Sequence, residues 1–267
     1  MVRELVLLRA IKEVVGGLLN SGADGRRMFS VVTRTWNPVT GCTHLCVYCW
    51  ARRLAETRLR RSPRYRDGFV PRFNAEELRA RFRPGELVFV SDMGDLFCDH
   101  VEDGWIRRVL RHMARFPETH CLLLTKNPER YFDFLDEMPP NAILGATIET
   151  NRDDMYRERR ISGAPLPSFR YRAMSDLAWP KKFISIEPIL DFDLEEFAGW
   201  IEEIGPFMVY VGYDNYGNRL PEPPLPKTLK LIERLERTVL VVRKALRPAW
   251  YETLKAYEGD NGEEQRS

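Results

Sequence analysis

Three closely spaced cysteines are the residues of this chain best suited to chemistry. They are Cys42, Cys46 and Cys49, at the spacing C-x3-C-x2-C. Three thiolates so close together can bind three irons of a cubane iron–sulfur cluster, and no fourth cysteine follows at cluster spacing. The remaining iron is then free to bind a small molecule, which turns an electron-transfer cluster into a reaction centre.

A zinc site is the alternative for the same segment, because His44 lies between the first two cysteines and would complete a Cys3His set. Residues two apart in a tight loop rarely converge on one tetrahedral ion, and structural zinc sites usually consist of two separated ligand pairs. The spacing therefore favours the iron–sulfur cluster over zinc or plain buried thiols.

Five segments together resemble the radical S-adenosylmethionine (SAM) superfamily, and within it a phage-associated branch that opens with W-N-P-x-x-G-C. They are TWNPVTGC at 35–42, VSDMGDLF at 90–97, LTKNPER at 124–130, GATIET at 145–150 and SIEP at 185–188. The resemblance implies a [4Fe-4S] cluster on the three cysteines, SAM on the open iron, and a reductant such as ferredoxin or flavodoxin. In that superfamily the cluster cleaves SAM to a 5′-deoxyadenosyl radical that abstracts hydrogen from the substrate.

The resemblance also implies contacts to SAM near the cysteines. Tyr48, at a position that is usually aromatic in the superfamily, would lie against the adenine. Asp92, Gly94 and Asp95 stand where the superfamily carries a glycine-rich segment that binds the amino group of SAM. The segment is not the usual G-G-E, so backbone carbonyls or Asp95 would make the contact, and a simple turn with a helix cap is the alternative.

Polar residues at three later strand ends complete the predicted SAM site. Lys126 would pair with a SAM or substrate carboxylate, unless the segment is only a helix start. Thr147 and Glu149 are expected to contact the ribose or carboxylate of SAM, with a buried polar cap as the alternative. Ser185 and Glu187 alternate with apolar neighbours. A glutamate there is not expected in a core unless it is paired, so Glu187 is expected to contact a hydroxyl of SAM or of the substrate.

Further residues are candidates for contact with the substrate. Cys98 could donate a hydrogen atom to a substrate radical, although a packed free cysteine is the simpler interpretation. Tyr213 and Tyr216 could stack on a base or sugar, in a segment that also fits an ordinary turn. Arg243 and Lys244 could hold a phosphate or carboxylate, or could begin a solvated helix.

Short apolar runs alternate with longer amphipathic segments, which is typical of repeated βα units around a parallel sheet. Strands are predicted at 30–35, 87–91, 120–125, 143–148, 183–187, 207–212 and 238–243. Helices are predicted at 51–59, 102–115, 128–136, 168–177, 194–204 and 226–236. The sequence therefore predicts an α/β protein with a partial TIM-like barrel of six to seven parallel strands and its site at the carboxyl ends of those strands.

An arginine-rich stretch follows the cysteines. Residues 50–83 contain eleven arginines and four acidic residues, and seven of these arginines crowd the segment 52–66: Arg52, Arg53, Arg58, Arg60, Arg61, Arg64 and Arg66. Such a segment beside a barrel opening suits a polyanion such as nucleic acid. The solvated outer face of a helix is the alternative.

Length and composition set the remaining expectations. A chain of 267 residues is long enough for one barrel. Its net charge of +2 does not indicate any particular kind of binding partner. We expect a helical extension at residues 1–27, the barrel at 28–250 and a partly disordered tail at 251–267. The apolar stretch 5–19 carries three charged residues, so no membrane span is expected. A reducible cluster suits the cytoplasm.

Several functions remain open at this point. The leading one is a radical SAM enzyme of unidentified substrate, with nucleic acid favoured by the arginines. Radical modification of a peptide or small metabolite is an alternative, and a non-catalytic iron–sulfur or zinc binding module is another. Production of 5′-deoxyadenosine distinguishes the enzyme from the module.

Overall fold

Seven parallel strands form a curled half-barrel in the computed structural model, which describes residues 32–252. In chain order the strands are β1 Arg34–Trp36, β2 Val39–Thr40, β3 Arg72–Phe73, β4 Leu87–Val90, β5 His120–Thr125, β6 Ala142–Thr147, β7 Lys182–Ile186, β8 Met208–Val211 and β9 Leu240–Arg243. The parallel strands pair in the order β1-β4-β5-β6-β7-β8-β9, whereas β2 and β3 form a separate antiparallel pair. The predicted partial TIM-like barrel is therefore confirmed.

Helices connect most of the successive parallel strands. They are α1 Trp50–Glu56, α2 Asp103–Ala114, α3 Asp153–Glu158, α4 Pro167–Asp176, α5 Leu194–Ile204 and α6 Leu225–Leu235, with 3-10 helices at Pro63–Tyr65, Ala75–Arg79 and Pro128–Glu137. The helix predicted at 128–136 is present as the 3-10 helix Pro128–Glu137. Its path is fixed by tertiary contacts: Arg130 donates to the carbonyls of Cys98 and Val101, and Tyr131 donates to those of Leu123 and Gly145.

Two apolar cores lie on the two faces of the sheet. The larger one includes the buried faces of α2, α5 and α6 and therefore lies between the sheet and its helices. The smaller one contains no helix residue, so it fills the inner, concave side; it consists of Val32, Leu87, Phe89, Leu122, Ile143, Phe183, Phe207, Met208 and Tyr210. Because this cluster fills the barrel from within, polar chemistry is restricted to the carboxyl ends of the strands.

The expectations for the chain termini fall largely outside the described residues. The predicted extension at 1–27 and the residues from 253 onward are not described, so these domain boundaries stay predictions. Among residues 32–252, no helix has both the length and the apolar character needed to cross a membrane.

Two glycines join the cysteine loop to the loop that follows β4. Gly41 has φ of 83° and donates its N–H to the carbonyl of Met93 at 2.9 Å, while the Asp95 N–H donates to the Gly41 carbonyl at 3.3 Å. A Cβ on Gly41 would lie 2.0 Å from the carbonyl oxygen of Val70, and one on Gly94 would lie 2.8 Å from the Gly41 carbonyl oxygen. The close approach of the two loops therefore requires glycine at both positions.

We predict that Gly41→Ala lowers the free energy of unfolding by about 1–3 kcal/mol, because the left-handed backbone and the contact with Val70 both resist a side chain. Thermal and urea unfolding followed by circular dichroism measure the change. Gly199→Ala is the control, since Gly199 lies within α5 with no other atom within 4 Å of an added Cβ. That variant should be as stable as the parent or more stable, and equal behaviour of the two variants would contradict the account.

Candidate active site

A cavity of about 720 Å³ opens at the carboxyl ends of the strands. One wall is the cysteine loop, which contributes Cys42, Cys46 and Cys49. The opposite wall comes from the ends of β7, β8 and β9. Residues that the sequence singled out separately are thus brought to a single space; further lining residues among them are Tyr48, Asp92, Gly94, Asp95, Lys126, Thr147, Glu187, Tyr213, Tyr216 and Lys244.

Each cysteine of the loop has a defined local contact. Cys42 Sγ accepts the N–H of His44 at 3.4 Å, and Cys49 Sγ accepts the N–H of Arg52 at 3.3 Å and so caps α1. Cys46 Sγ lies 3.1 Å from Ser162 Oγ, in the connection between α3 and α4. Burial raises the pKa of the Cys49 thiol, so metal binding there would release a proton.

The donor set fits a cubane cluster better than a single zinc ion. In a cubane each cysteine binds a different iron, so the thiolates surround a volume and do not converge on one point. Among the described residues, the compact group of possible metal ligands is Cys42, His44 and Asp95, with donor atoms within 4.8 Å of one another. Neither Cys46 nor Cys49 belongs to it, so the Cys3His zinc set is not assembled, whereas the three thiols do line one cavity.

A buried His44–Asp95 contact fixes the cysteine loop against β4 and β5. His44 Nε2 lies 3.0 Å from Asp95 Oδ2, and Asp95 also accepts the N–H groups of Phe97 at 3.0 Å and Lys126 at 2.9 Å. Burial alone would raise the pKa of Asp95, but the contacts with His44 lower it overall. Both carboxylate oxygens already have partners within the chain, so the predicted contact of Asp95 with SAM stays a prediction.

Glu149 is the centre of a buried charge cluster behind the cysteine loop. Its carboxylate accepts hydrogen bonds from Lys126 Nζ at 2.6 Å, Arg170 Nη1 at 2.7 Å and the Tyr48 hydroxyl. Burial favours the neutral acid, yet the charges of Arg170 and Lys126 lower the pKa of Glu149 to about 2. Neither Glu149 nor Arg170 is exposed, whereas Lys126 reaches the cavity and lies 5.2 Å from the centre of the Tyr48 ring.

The other predicted site residues differ in their access to the cavity. Asp92 lines it and accepts a hydrogen bond from Asn37 Nδ2 at 2.6 Å. Ser185 is fully buried, does not line the cavity, and its hydroxyl has no hydrogen-bond partner within residues 32–252. Cys98 is also fully buried and outside the lining, and its thiol lies beside that of Cys42. Its suggested role as a hydrogen donor stays a prediction.

Three contacts of the site could not be found by sequence reasoning. Arg170 looks like one of two arginines on an ordinary helix, and its burial against Glu149 follows only from how α4 packs on β6. Ser162 has no distinctive pattern around it, yet it contacts both Cys46 and the carbonyl of His44. The pairing of Glu187 with Lys244, at 2.7 Å, joins residues 57 apart in the sequence.

Comparisons with known proteins bear on the family and the fold. The profile of a family described as "Protein of unknown function (DUF5131)" matches residues 28–201. No curated protein matches the sequence significantly. The structure resembles spore photoproduct lyase in complex with a dinucleoside spore photoproduct, with 15% identity and a TM-score of 0.51 over 77% of this chain and 62% of the lyase. It also resembles Streptococcus suis SuiB bound to precursor peptide SuiA, with 13% identity and a TM-score of 0.50 over 79% of this chain and 48% of SuiB.

These alignments cover less than two-thirds of either solved protein. At such low identity the likeness concerns the fold, and it gives this chain the same kind of half-barrel as both proteins.

We predict that Arg170→Met destabilises the fold by about 3–5 kcal/mol, because it leaves the Glu149 carboxylate buried with one cation fewer. Removing the charge as well, in Arg170→Met/Glu149→Gln, should recover part of the loss. The deficit of Arg170→Met should also shrink as the pH falls from about 4.5 to about 2, where wild-type Glu149 becomes protonated. Unfolding at several pH values tests this, and a pH-independent deficit would count against it.

Proposed function

We propose that this chain, which belongs to the family described as "Protein of unknown function (DUF5131)", is a radical SAM enzyme. The observation that carries the proposal is the meeting of Cys42, Cys46 and Cys49 in one cavity at the carboxyl end of a parallel half-barrel. When bound, a [4Fe-4S] cluster would supply the electron that cleaves SAM to methionine and a 5′-deoxyadenosyl radical, with ferredoxin or flavodoxin as the natural reductant class.

The chain's own residues prepare the cavity for such a reaction. The Tyr48 hydroxyl is held by Glu149, so its ring has a fixed orientation beside the cysteines. The ammonium group of Lys126 next to this ring provides a positive charge that suits the SAM carboxylate. Trp50, Phe89 and Leu124 add apolar surface that helps to exclude water.

We predict that anaerobic reconstitution gives about four irons per chain and that dithionite with SAM yields 5′-deoxyadenosine. Cys46→Ala should lose both the cluster absorbance and SAM cleavage, because one of three ligands is missing. Cys121→Ala is the matched control: Cys121 is a buried residue of β5 that does not line the cavity, so its removal should leave both unchanged. SAM cleavage retained in Cys46→Ala would refute the assignment, and colourless protein with bound zinc would favour a non-catalytic module.

A nucleic acid is the substrate class that the charge distribution favours. One of the similar solved proteins is bound to a dinucleoside and the other to a peptide, so the shared fold does not choose between these substrate classes. The arginine segment, residues 52–66, supports a nucleic acid as the substrate. The segment lies next to the cavity, because Ala51 just before it and Phe69 shortly after it line the cavity. Within the described part of the chain, only Arg64 of its seven arginines is paired with carboxylates, those of Glu76 and Glu77.

Five of the remaining arginines of this segment are exposed: Arg53, Arg58, Arg60, Arg61 and Arg66. Arg53 already donates a hydrogen bond to Asn218, and the other four are available for phosphates. Radical modification of a peptide or small metabolite remains the alternative, and it predicts no affinity for oligonucleotides.

We predict that single-stranded oligonucleotides bind with an affinity that falls steeply with salt, because bound counterions are released from the phosphates. Arg60→Glu/Arg61→Glu should weaken binding and reduce the slope of log K against log salt by about 2. Arg111→Glu/Arg237→Glu is the charge-matched control, since both residues are exposed and neither lines the cavity. Fluorescence anisotropy at several salt concentrations measures both, and absence of binding at low salt would favour the peptide or metabolite substrate.

A further inference from the structure

An ion pair crosses the wall of the cavity that faces the cysteines. Glu187 follows the last residue of β7, Lys244 follows the last residue of β9, and Lys244 Nζ lies 2.7 Å from Glu187 Oε2. Strand β8 lies between them and is followed by Gly212. A Cβ on Gly212 would lie 3.0 Å from Lys244 Cβ and 3.6 Å from Glu187 Oε1, so glycine leaves the room in which the pair meets.

The Glu187–Lys244 pair presents a hydrogen-bond acceptor next to a donor to a ligand in the cavity. An ammonium group only donates hydrogen bonds and a carboxylate only accepts them, so the two side chains offer adjacent donor and acceptor groups. The Glu187 side chain keeps 12% of its surface exposed and the Lys244 side chain 19%. Both are therefore accessible from the cavity but largely shielded from bulk water. The complementary ligand is a planar group with a hydrogen-bond acceptor next to a donor. The Watson–Crick edges of the nucleobases have this arrangement.

An exposed aromatic ring lies on the same wall. Tyr216 lines the cavity with 49% of its surface exposed, and the turn that carries it is held by Asp214, which accepts the N–H groups of Tyr216 and Asn218. The Arg53 guanidinium lies 5.2 Å from the centre of the Tyr216 ring and donates to Asn218 Oδ1 at 2.8 Å. This contact joins the arginine segment to the wall that carries the Glu187–Lys244 pair.

We propose that this wall binds one nucleobase turned out of a nucleic acid strand, with Tyr216 stacking on the base and the Glu187–Lys244 pair contacting its edge. The phosphates on either side then lie along the arginine segment. Enzymes that act on a base inside a strand extrude it into a pocket, and a cavity of about 720 Å³ that also holds SAM admits a base but not a duplex. The inference rests on the proposed radical SAM function and on nucleic acid as the substrate class.

The test uses reconstituted holoenzyme with SAM and without reductant. Fluorescence anisotropy compares 12-residue single strands that are identical except at the central position, which carries a base or an abasic site. We expect the base-containing strand to bind about 5- to 100-fold more tightly, which is the range for one well-formed pair of hydrogen bonds to a base. DNA and RNA versions, with each of the four bases, identify the strand and base that bind best.

The variants separate contact with the base from contact with the backbone. Glu187→Gln and Lys244→Met should reduce the preference for the base over the abasic site to the part that stacking on Tyr216 supplies, and Tyr216→Ala should weaken binding of the base-containing strand by about 5- to 100-fold. Glu233→Gln and Lys230→Met, on the exposed face of α6, are the matched controls and should keep the preference. Iron content and the unfolding temperature of every variant are measured, so that a misfolded preparation is recognised.

The outcomes distinguish this inference from the function on which it rests. If the wild-type enzyme cleaves SAM and binds strands but treats base and abasic site alike, the base pocket is refuted and the radical SAM function stands. A base preference that Glu187→Gln and Lys244→Met both leave at the wild-type value refutes it equally. Failure to cleave SAM refutes the radical SAM function, and failure to bind any strand at low salt refutes the nucleic acid substrate together with the base pocket.

Discussion

The buried carboxylate of Glu149 is the interaction on which the candidate site depends. A charged carboxylate without contact to water is costly unless cations and hydrogen bonds compensate it, and here Arg170, Lys126 and Tyr48 do so together. Each partner belongs to a different element: Arg170 to α4, Lys126 to the end of β5, and Tyr48 to the cysteine loop. One charge therefore fixes the relative positions of three elements, and removal of any one partner disturbs the other two.

The cysteine loop is held from several sides by contacts that differ in kind. Gly41 joins it to the loop after β4 through backbone hydrogen bonds. His44 joins it to Asp95, and the carbonyl of His44 accepts the N–H of Gly163 at 2.6 Å. A loop fixed in this way meets a metal cluster with less loss of conformational entropy than a mobile one. The apolar cluster inside the barrel supplies the rigid base that these contacts need.

The sequence predicted the fold class better than the details of the site. The seven parallel strands could be predicted because buried β-branched runs alternate with amphipathic segments. The position of the cysteines at the carboxyl ends of the strands could be predicted because their loop follows the first strand. The contact of Glu149 with SAM stays a prediction, and the structure adds hydrogen bonds to its carboxylate from side chains that lie up to 101 residues away in the sequence. Contacts between residues so far apart in the sequence leave no periodic pattern from which they could be predicted. Even a local feature, the 3-10 helix at 128–137, depends on carbonyl acceptors from β5 and β6.

The two walls of the cavity differ in how completely their charged side chains are compensated by partners within the chain. Near the cysteines, the carboxylates are compensated by side chains of the protein itself. Glu149 is paired with Lys126 and Arg170, and Asp95 contacts His44. The opposite wall carries an ion pair that faces the cavity, so its charges can exchange one partner for another when a ligand arrives. Burial raises the pKa of Glu187 in spite of Lys244, which means that its charge is less well compensated than that of Glu149. A carboxylate in this state gains more from a new hydrogen-bond donor than a saturated one does, so the wall formed by β7, β8 and β9 is better suited to recognising a ligand than to holding the cysteine loop in place.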